Sequence, residues 1–226
     1  MGEPYRPGDR RPIAVREWQV FQRAAGWLAH QGVSPNGISV AGMVCGVAAG
    51  GALAATPYLS GLEQRLAWLA AAVLIQLRLL ANMLDGMVAI EGGRASPVGE
   101  LYNEVPDRIS DAATLIGAGY AVGSDIALGY SAACVALFTA YVRAMGKAAG
   151  AGQQFCGPMA KQQRMFTVTV VAAYDGLAPH DWQPAWGPSG SWGLAAAALA
   201  LIIVGGLWTA GRRLRRIAAF LRKRTP

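Results

Sequence analysis

The sequence predicts an all-α integral membrane protein with six transmembrane helices, preceded by an N-terminal amphipathic helix lying in the membrane interface. Three observations predict it. Of the 226 residues, 54% are hydrophobic and only 15% charged, against roughly a quarter charged in soluble domains. Apolar runs close to the ~18 residues that mark a membrane helix recur along the chain. The basic residues, finally, fall almost entirely on one side of the implied bundle.

The N-terminal segment, residues 1–32, is Arg-rich and has no apolar core of the kind a cleavable signal needs. Within it, "AVREWQVFQRAAGWLA" sets Trp18, Phe21, Ala25 and Leu28 on one helical face with arginines opposite, the pattern of a helix lying in the interface. In "VSPNGIS", Ser34 is the expected N-cap and Pro35 the first helical residue. The first span, 39–56, carries no charge, and Gly42, Gly46 and Gly50 recur along it every four residues. Such stripes let membrane helices approach closely. The second span, 66–88, is interrupted by Arg78 and then by polar residues. The third runs from about 97 to 122, with Ser96 as its cap and Pro106 inside it, where a proline frees a carbonyl one turn earlier. Spans at 126–145, 162–178 and 192–209 follow, and "GRRLRRIAAFLRKR" extends the last as a basic amphipathic tail. The expected organisation is therefore one six-helix domain, 33–211, between the N-terminal segment and a cytoplasmic tail, 212–226.

Arg6, Arg10, Arg11, Arg16 and Arg23 precede the first span, Arg94 follows the second, Lys147, Lys161 and Arg164 lie between the fourth and fifth, and the tail is rich in Arg. Arg65 alone faces the other side. Both termini are expected to be cytoplasmic, in a bacterial inner membrane. The net charge of +7 is thus a topology signal and an attraction to anionic membrane lipid. It gives no support for nucleic-acid binding. Three scattered cysteines, Cys45, Cys134 and Cys156, form neither a disulfide framework nor a metal spacing.

The stretch "NMLDGMVAIEGGRASPVGELYNEVPD" breaks the apolar pattern. Asn82 and Asp85 are three residues apart, and Asn103, Asp107 and Asp111 are spaced by four, so each set shares a helical face. The short connection predicts antiparallel neighbours whose polar faces meet at the cytoplasmic end. Oxygen donors converging there suit Mg2+ or Mn2+. Gly86 and Ala89 leave that face bare for a ligand, while Glu91, Glu100 and Glu104 read as solvated helix ends. Ionisable groups at membrane depth are costly and mark function by default. Arg78, one turn before Asn82, is a salt-bridge partner for the cluster. Arg143 with Lys147, and Lys161 with Arg164, form a second, basic group on the same side, suited to phosphate.

Together, Asp85-Gly86-x-x-Ala89 and Gly99-x-x-x-Asn103-x-x-x-Asp107 resemble the signature of the CDP-alcohol phosphotransferases, D-x-x-D-G-x-x-A-R-x(8)-G-x-x-x-D-x-x-x-D. Asp85, Gly86, Ala89, Gly99 and Asp107 match it at intact spacing; Asn82 and Asn103 stand at two aspartate positions and Ile90 at the arginine. The resemblance implies transfer of a phosphatidyl group from CDP-diacylglycerol to an alcohol acceptor with release of CMP. It implies one or two Mg2+ or Mn2+ ions at Asn82, Asp85, Asn103 and Asp107, with Asp111 one turn on as a further ligand. It also implies Asp107 as the general base, substrate contacts at Gly86, Ala89, Gly99, Arg143, Lys147, Lys161 and Arg164, and a homodimer. Two other readings stand beside it. A non-catalytic lipid- or nucleotide-binding relative is motivated by the two asparagines and Ile90. A small transporter would spread its ionisable groups through the bilayer depth, whereas here they gather at one end.

Overall fold

In hydrocarbon a backbone must satisfy its own hydrogen bonds, and an uninterrupted apolar run does so as a helix. The computed structural model describes residues 18–93, 97–187 and 191–223. Among these, the chain forms α1 (Gln19–His30), α2 (Pro35–Ala55), α3 (Gly61–Glu91), α4 (Pro97–Tyr120), α5 (Ile126–Ala148), α6 (Lys161–Leu177) and α7 (Leu194–Arg222). The arginines from Arg6 to Arg16, Arg94 and the expected Ser96 cap lie outside the described residues. Ser34 does cap α2, accepting the Gly37 N–H at 3.5 Å, with Pro35 next to it. Asp125 caps α5 by accepting the Leu128 N–H at 3.0 Å.

Four helices, α2, α3, α5 and α7, are long and apolar enough to cross a membrane. The sequence reading counted two more. Helix α4 carries Asn103, Glu104, Asp107, Arg108 and Asp111 along its length, and α6 has only 17 residues, about 25 Å of helix against a hydrocarbon core of about 30 Å. Helix α7 runs without a break through residues 211 and 212, so the basic tail is its continuation.

The helices alternate in direction. One end of the bundle gathers the starts of α2, α4 and α6 with the ends of α3, α5 and α7. At the opposite end the turns are tied together by the Val122 N–H donating to Thr56 Oγ1 at 3.0 Å and the Gly193 N–H donating to the Gly123 carbonyl at 2.7 Å.

The expected direct pairing of α3 with α4 is not what the chain does. Helix α2 lies along both of them, and α3 and α4 touch each other little. The glycine stripe explains why. A Cβ at Gly50 would stand 2.3 Å from the Ala113 carbonyl oxygen, and one at Gly46 would stand 2.4 Å from Ser110 Cβ and 3.4 Å from Arg78 Cγ. Only a bare backbone lets α4 close on α2 this tightly. Gly46 also leaves the gap in which Arg78, from α3, meets Ser110, on α4.

On the far flank α5 packs against α4 and α7, and α3 against α6. The core between them is built from small residues around Leu53, Trp68, Ile75, Leu115, Met165 and Ile202. Phe21, Ala25 and Leu28 of α1 cover Met83, Met87 and Val88 near the end of α3, and Trp18 stacks on Phe21.

Gly46→Val is expected to destabilise the bundle by about 1–3 kcal/mol through overpacking, seen as a lower thermal unfolding midpoint in detergent. Gly51→Val, on the same helix but with nothing within 4 Å of the added Cβ, should leave the midpoint close to wild type.

Candidate active site

Asn82 and Asp85 from α3 and Asn103 and Asp107 from α4 come together on a small, partly open cleft, which Ser39, Gly42 and Met43 of α2, Arg78 of α3 and Pro106 and Ser110 of α4 complete. The spacing of three on one helix and four on the other puts each pair on the face turned toward α2. Pro106, inside α4, has no N–H to offer the Tyr102 carbonyl.

The polar contacts form an ordered chain. Lys161, the first residue of α6, donates to Asn82 Oδ1 at 2.7 Å and pairs with Asp107 Oδ2. Asn82 Nδ2 in turn donates to Asn103 Oδ1 at 3.1 Å. Asp85 is buried, with Oδ2 accepting from Ser39 Oγ at 2.6 Å and Oδ1 from the Gly86 N–H. Ser39 was not singled out from the sequence, since a serine near the start of an apolar helix carries no signal of its own.

Behind the cleft lies a buried ion network. Arg78 donates through Nε to Ser110 Oγ at 2.9 Å, and its Nη2 reaches Asp107 Oδ1 at 3.1 Å and Asp111 Oδ1 at 2.5 Å. Arg164 of α6 takes the other oxygen of Asp111 at 3.2 Å and also donates to Thr139 Oγ1 and the Met159 carbonyl. Arg78, Asp111 and Arg164 are each no more than 2% exposed. Both oxygens of Asp111 therefore face guanidinium groups, and Asp111 is not part of the cleft lining. Arg164, expected in a phosphate pocket, is turned into the bundle as its counter-ion.

The remaining expected residues are spread around the rim. Arg143 pairs with Glu104 and lies over the Phe155 ring, 6.0 Å from its centroid. Glu104, expected as a solvated helix end, is thus half-exposed and paired, with Arg108 as a second partner at 3.6 Å. Lys147 is exposed in the last turn of α5. Gly86, Ala89 and Gly99 are partly buried and stand outside the cleft lining. The 149–160 connection that sets the position of Lys161 is fastened to α7: Met159 N–H donates to Thr209 Oγ1 at 3.0 Å, and Arg213 donates to the Cys156 carbonyl at 3.1 Å and the Thr139 carbonyl at 2.8 Å.

Over 160 residues, 70% of this chain and 75% of the relative, the sequence is 31% identical to archaetidylinositol phosphate synthase of Aeropyrum pernix. The chain belongs to the CDP-alcohol phosphatidyltransferase family. No family model matches it. The fold of this phosphatidyltransferase is similar to that of phosphatidylinositol phosphate synthase from Mycobacterium tuberculosis. With the structure of that enzyme with CDP-DAG bound, the TM-score is 0.68 at 22% identity, covering 88% of this chain and 94% of the other. With the structure in complex with manganese and citrate it is 0.66 at 23% identity, covering 87% and 88%. Likeness at that identity speaks for the fold; the assignment to the transferases of phospholipid synthesis rests on the sequence relative.

A divalent cation is the group such a phosphatidyltransferase calls for, and the donor set tests the fit. Among the described residues no three Asp, Glu, His or Cys side chains converge. Asp85 and Asp107 line the cleft together, with the amides of Asn82 and Asn103 beside them. Hard oxygen donors of this kind fit Mg2+ or Mn2+ through one or two carboxylates.

Asp111→Asn is expected to leave Arg78 and Arg164 buried without a full counter-charge, destabilising the phosphatidyltransferase by about 3–5 kcal/mol. Thermal unfolding in detergent should show it, and adding Arg164→Met to Asp111→Asn should recover part of the loss.

Proposed function

We propose that the protein transfers the lipid-phosphate moiety of a CDP-activated lipid, such as CDP-diacylglycerol, to a hydroxyl of inositol phosphate, releasing CMP. The observation that carries this is the convergence of Asn82, Asp85, Asn103 and Asp107 on one cleft at the end of the bundle where Arg143, Lys147 and Lys161 also gather. The family relatives named above are inositol phosphate lipid synthases. An acceptor that bears a phosphate suits a rim of Arg and Lys.

In the transfer, the acceptor oxygen bonds to the β-phosphorus and the bond from that phosphorus to the bridging oxygen breaks, so that CMP leaves with the electron pair. Asp107 receives the hydroxyl proton. Arg78, 3.1 Å from one of its oxygens, and Lys161 at the other orient the carboxylate, and for a base of ordinary strength that positioning matters more than basicity. Arg78 Nη1, buried and without a partner among the described residues, is a donor left over for a phosphate oxygen. Asp85 and Asp107 would hold Mg2+ or Mn2+, which when bound neutralises the pyrophosphate and stabilises the departing CMP. Asp111 and Arg164 serve as positioning residues through Arg78 and the start of α6.

A non-catalytic relative is the second reading, favoured by the asparagines at two aspartate positions. CMP release by the purified protein from CDP-diacylglycerol and inositol phosphate separates the two. Turnover is expected with Mg2+ or Mn2+, lost on chelation, and reduced about a hundredfold or more in Asp107→Asn. No CMP with any acceptor or metal supports the non-catalytic reading.

We further propose that α4 and α6 cross the membrane with the other four helices, that α1 lies in the interface, and that both termini are cytoplasmic. Thiol labelling of intact cells should then reach a cysteine placed at Pro184 and not one placed at Arg216. Labelling of both from the same side would overturn the six-span topology.

A further inference from the structure

Asn82 and Asn103 take a different meaning once Lys161 is in view. A lysine ammonium only donates, so Asn82 must turn its carbonyl oxygen toward Lys161 Nζ, 2.7 Å away. Its NH2 then faces Asn103, which must answer with its own oxygen, as the 3.1 Å contact shows. Each asparagine oxygen is thus claimed by a donor from the protein. Two carboxylates at these positions would repel each other and call for a cation between them; two amides close the gap with a hydrogen bond. The same ammonium reaches Asp107, so it stands where one side of α3 and one side of α4 meet. Asp85 and Asp107 alone bring negative charge to the cleft lining. Arg78 already has Asp111 as its counter-ion behind the cleft, so against the charge of −2 two divalent ions added to Lys161 would leave a positive excess in a partly buried site, where like charges repel strongly.

We propose that the cleft takes one divalent cation, at Asp85 and Asp107, and that the Lys161 ammonium is the second cation of the site, built into the chain. The inference rests on the phosphatidyltransferase reading above and adds to it how the charge is supplied. The asparagines and the lysine form a matched set. A fixed ammonium on the first turn of α6, held in place by the 149–160 connection and its bonds to α7, does permanently what an exchangeable ion would do only when loaded.

The test is metal stoichiometry, which does not depend on turnover. Mn2+ would be titrated into the purified full-length protein with CDP present, by equilibrium dialysis, and its electron paramagnetic resonance recorded. Wild type should bind one Mn2+ per chain with the spectrum of an isolated ion. Asn82→Asp/Asn103→Asp/Lys161→Ala should bind two, with a spectrum of coupled ions. Lys161→Met alone should bind its single Mn2+ about tenfold more tightly, because a neighbouring positive charge is gone, while releasing CMP more slowly. A lysine that served only as a structural prop would instead give weaker Mn2+ binding when removed, and that result would overturn the proposal. Two coupled ions in wild type would overturn it too, while leaving the metal-dependent transfer intact. No Mn2+ in wild type would remove the metal reading itself, and this inference with it.

Discussion

The contact on which most of the molecule depends is the one Asp111 makes with two arginines. Its oxygens meet Arg78 of α3 at 2.5 Å and Arg164 of α6 at 3.2 Å, so one carboxylate on α4 ties three helices together. A buried charge is tolerated when paired and hydrogen-bonded, and strongly destabilising when one partner is missing. The network therefore couples the positions of α3, α4 and α6. That arrangement sets the direction of Arg78, and through Arg78 that of Asp107. The cleft end of the bundle thus takes part of its geometry from Asp111 and Arg164, which do not line the cleft.

Much of this could be read in the sequence. Apolar runs located α2, α3, α5 and α7, the four helices long and apolar enough to cross a membrane, because a segment that satisfies its own backbone in hydrocarbon has few alternatives to a helix. Segments α4 and α6 were also found as helices. The spacing of Asn82 with Asp85 and of Asn103 with Asp107 placed each pair on one face, and the four do meet. What could not be read is which helix stands between which. A glycine stripe announces close approach without naming the neighbour, and α2 turned out to pack along both α3 and α4, which meet each other mainly through side chains at one end. Asp111 and Arg164 follow the same rule. Helical periodicity puts them on the right faces, but whether a carboxylate looks toward a ligand or toward an arginine depends on rotations that local sequence does not encode. Ser39, bonded to Asp85 at 2.6 Å, belongs to a third helix and had no local signal at all.

The cleft also shows how a family signature can change its letters and keep its logic. Asp85 and Asp107 remain, with the bare residues Gly86 and Gly99 still at their spacing. The two asparagines lower the negative charge, and the side chains around them are rearranged to suit: amide meets amide, and the free oxygen of the pair meets an ammonium. Both asparagine oxygens and the ammonium are thus paired, as a buried polar site favours.

Gly46 owes its identity to side chains on two other helices. It is small because Arg78 and Ser110 meet beside it, and nothing on α2 itself demands a glycine there. The three positions should therefore be inherited as a unit. A descendant that exchanged Arg78 for a short side chain would still keep Gly46 small, because an added Cβ would stand 2.4 Å from Ser110 Cβ, and one that enlarged Gly46 would push α4 away and lose the bridge. Substitution at these sites has an order, and α4 must give way at Ser110 before the glycine can change.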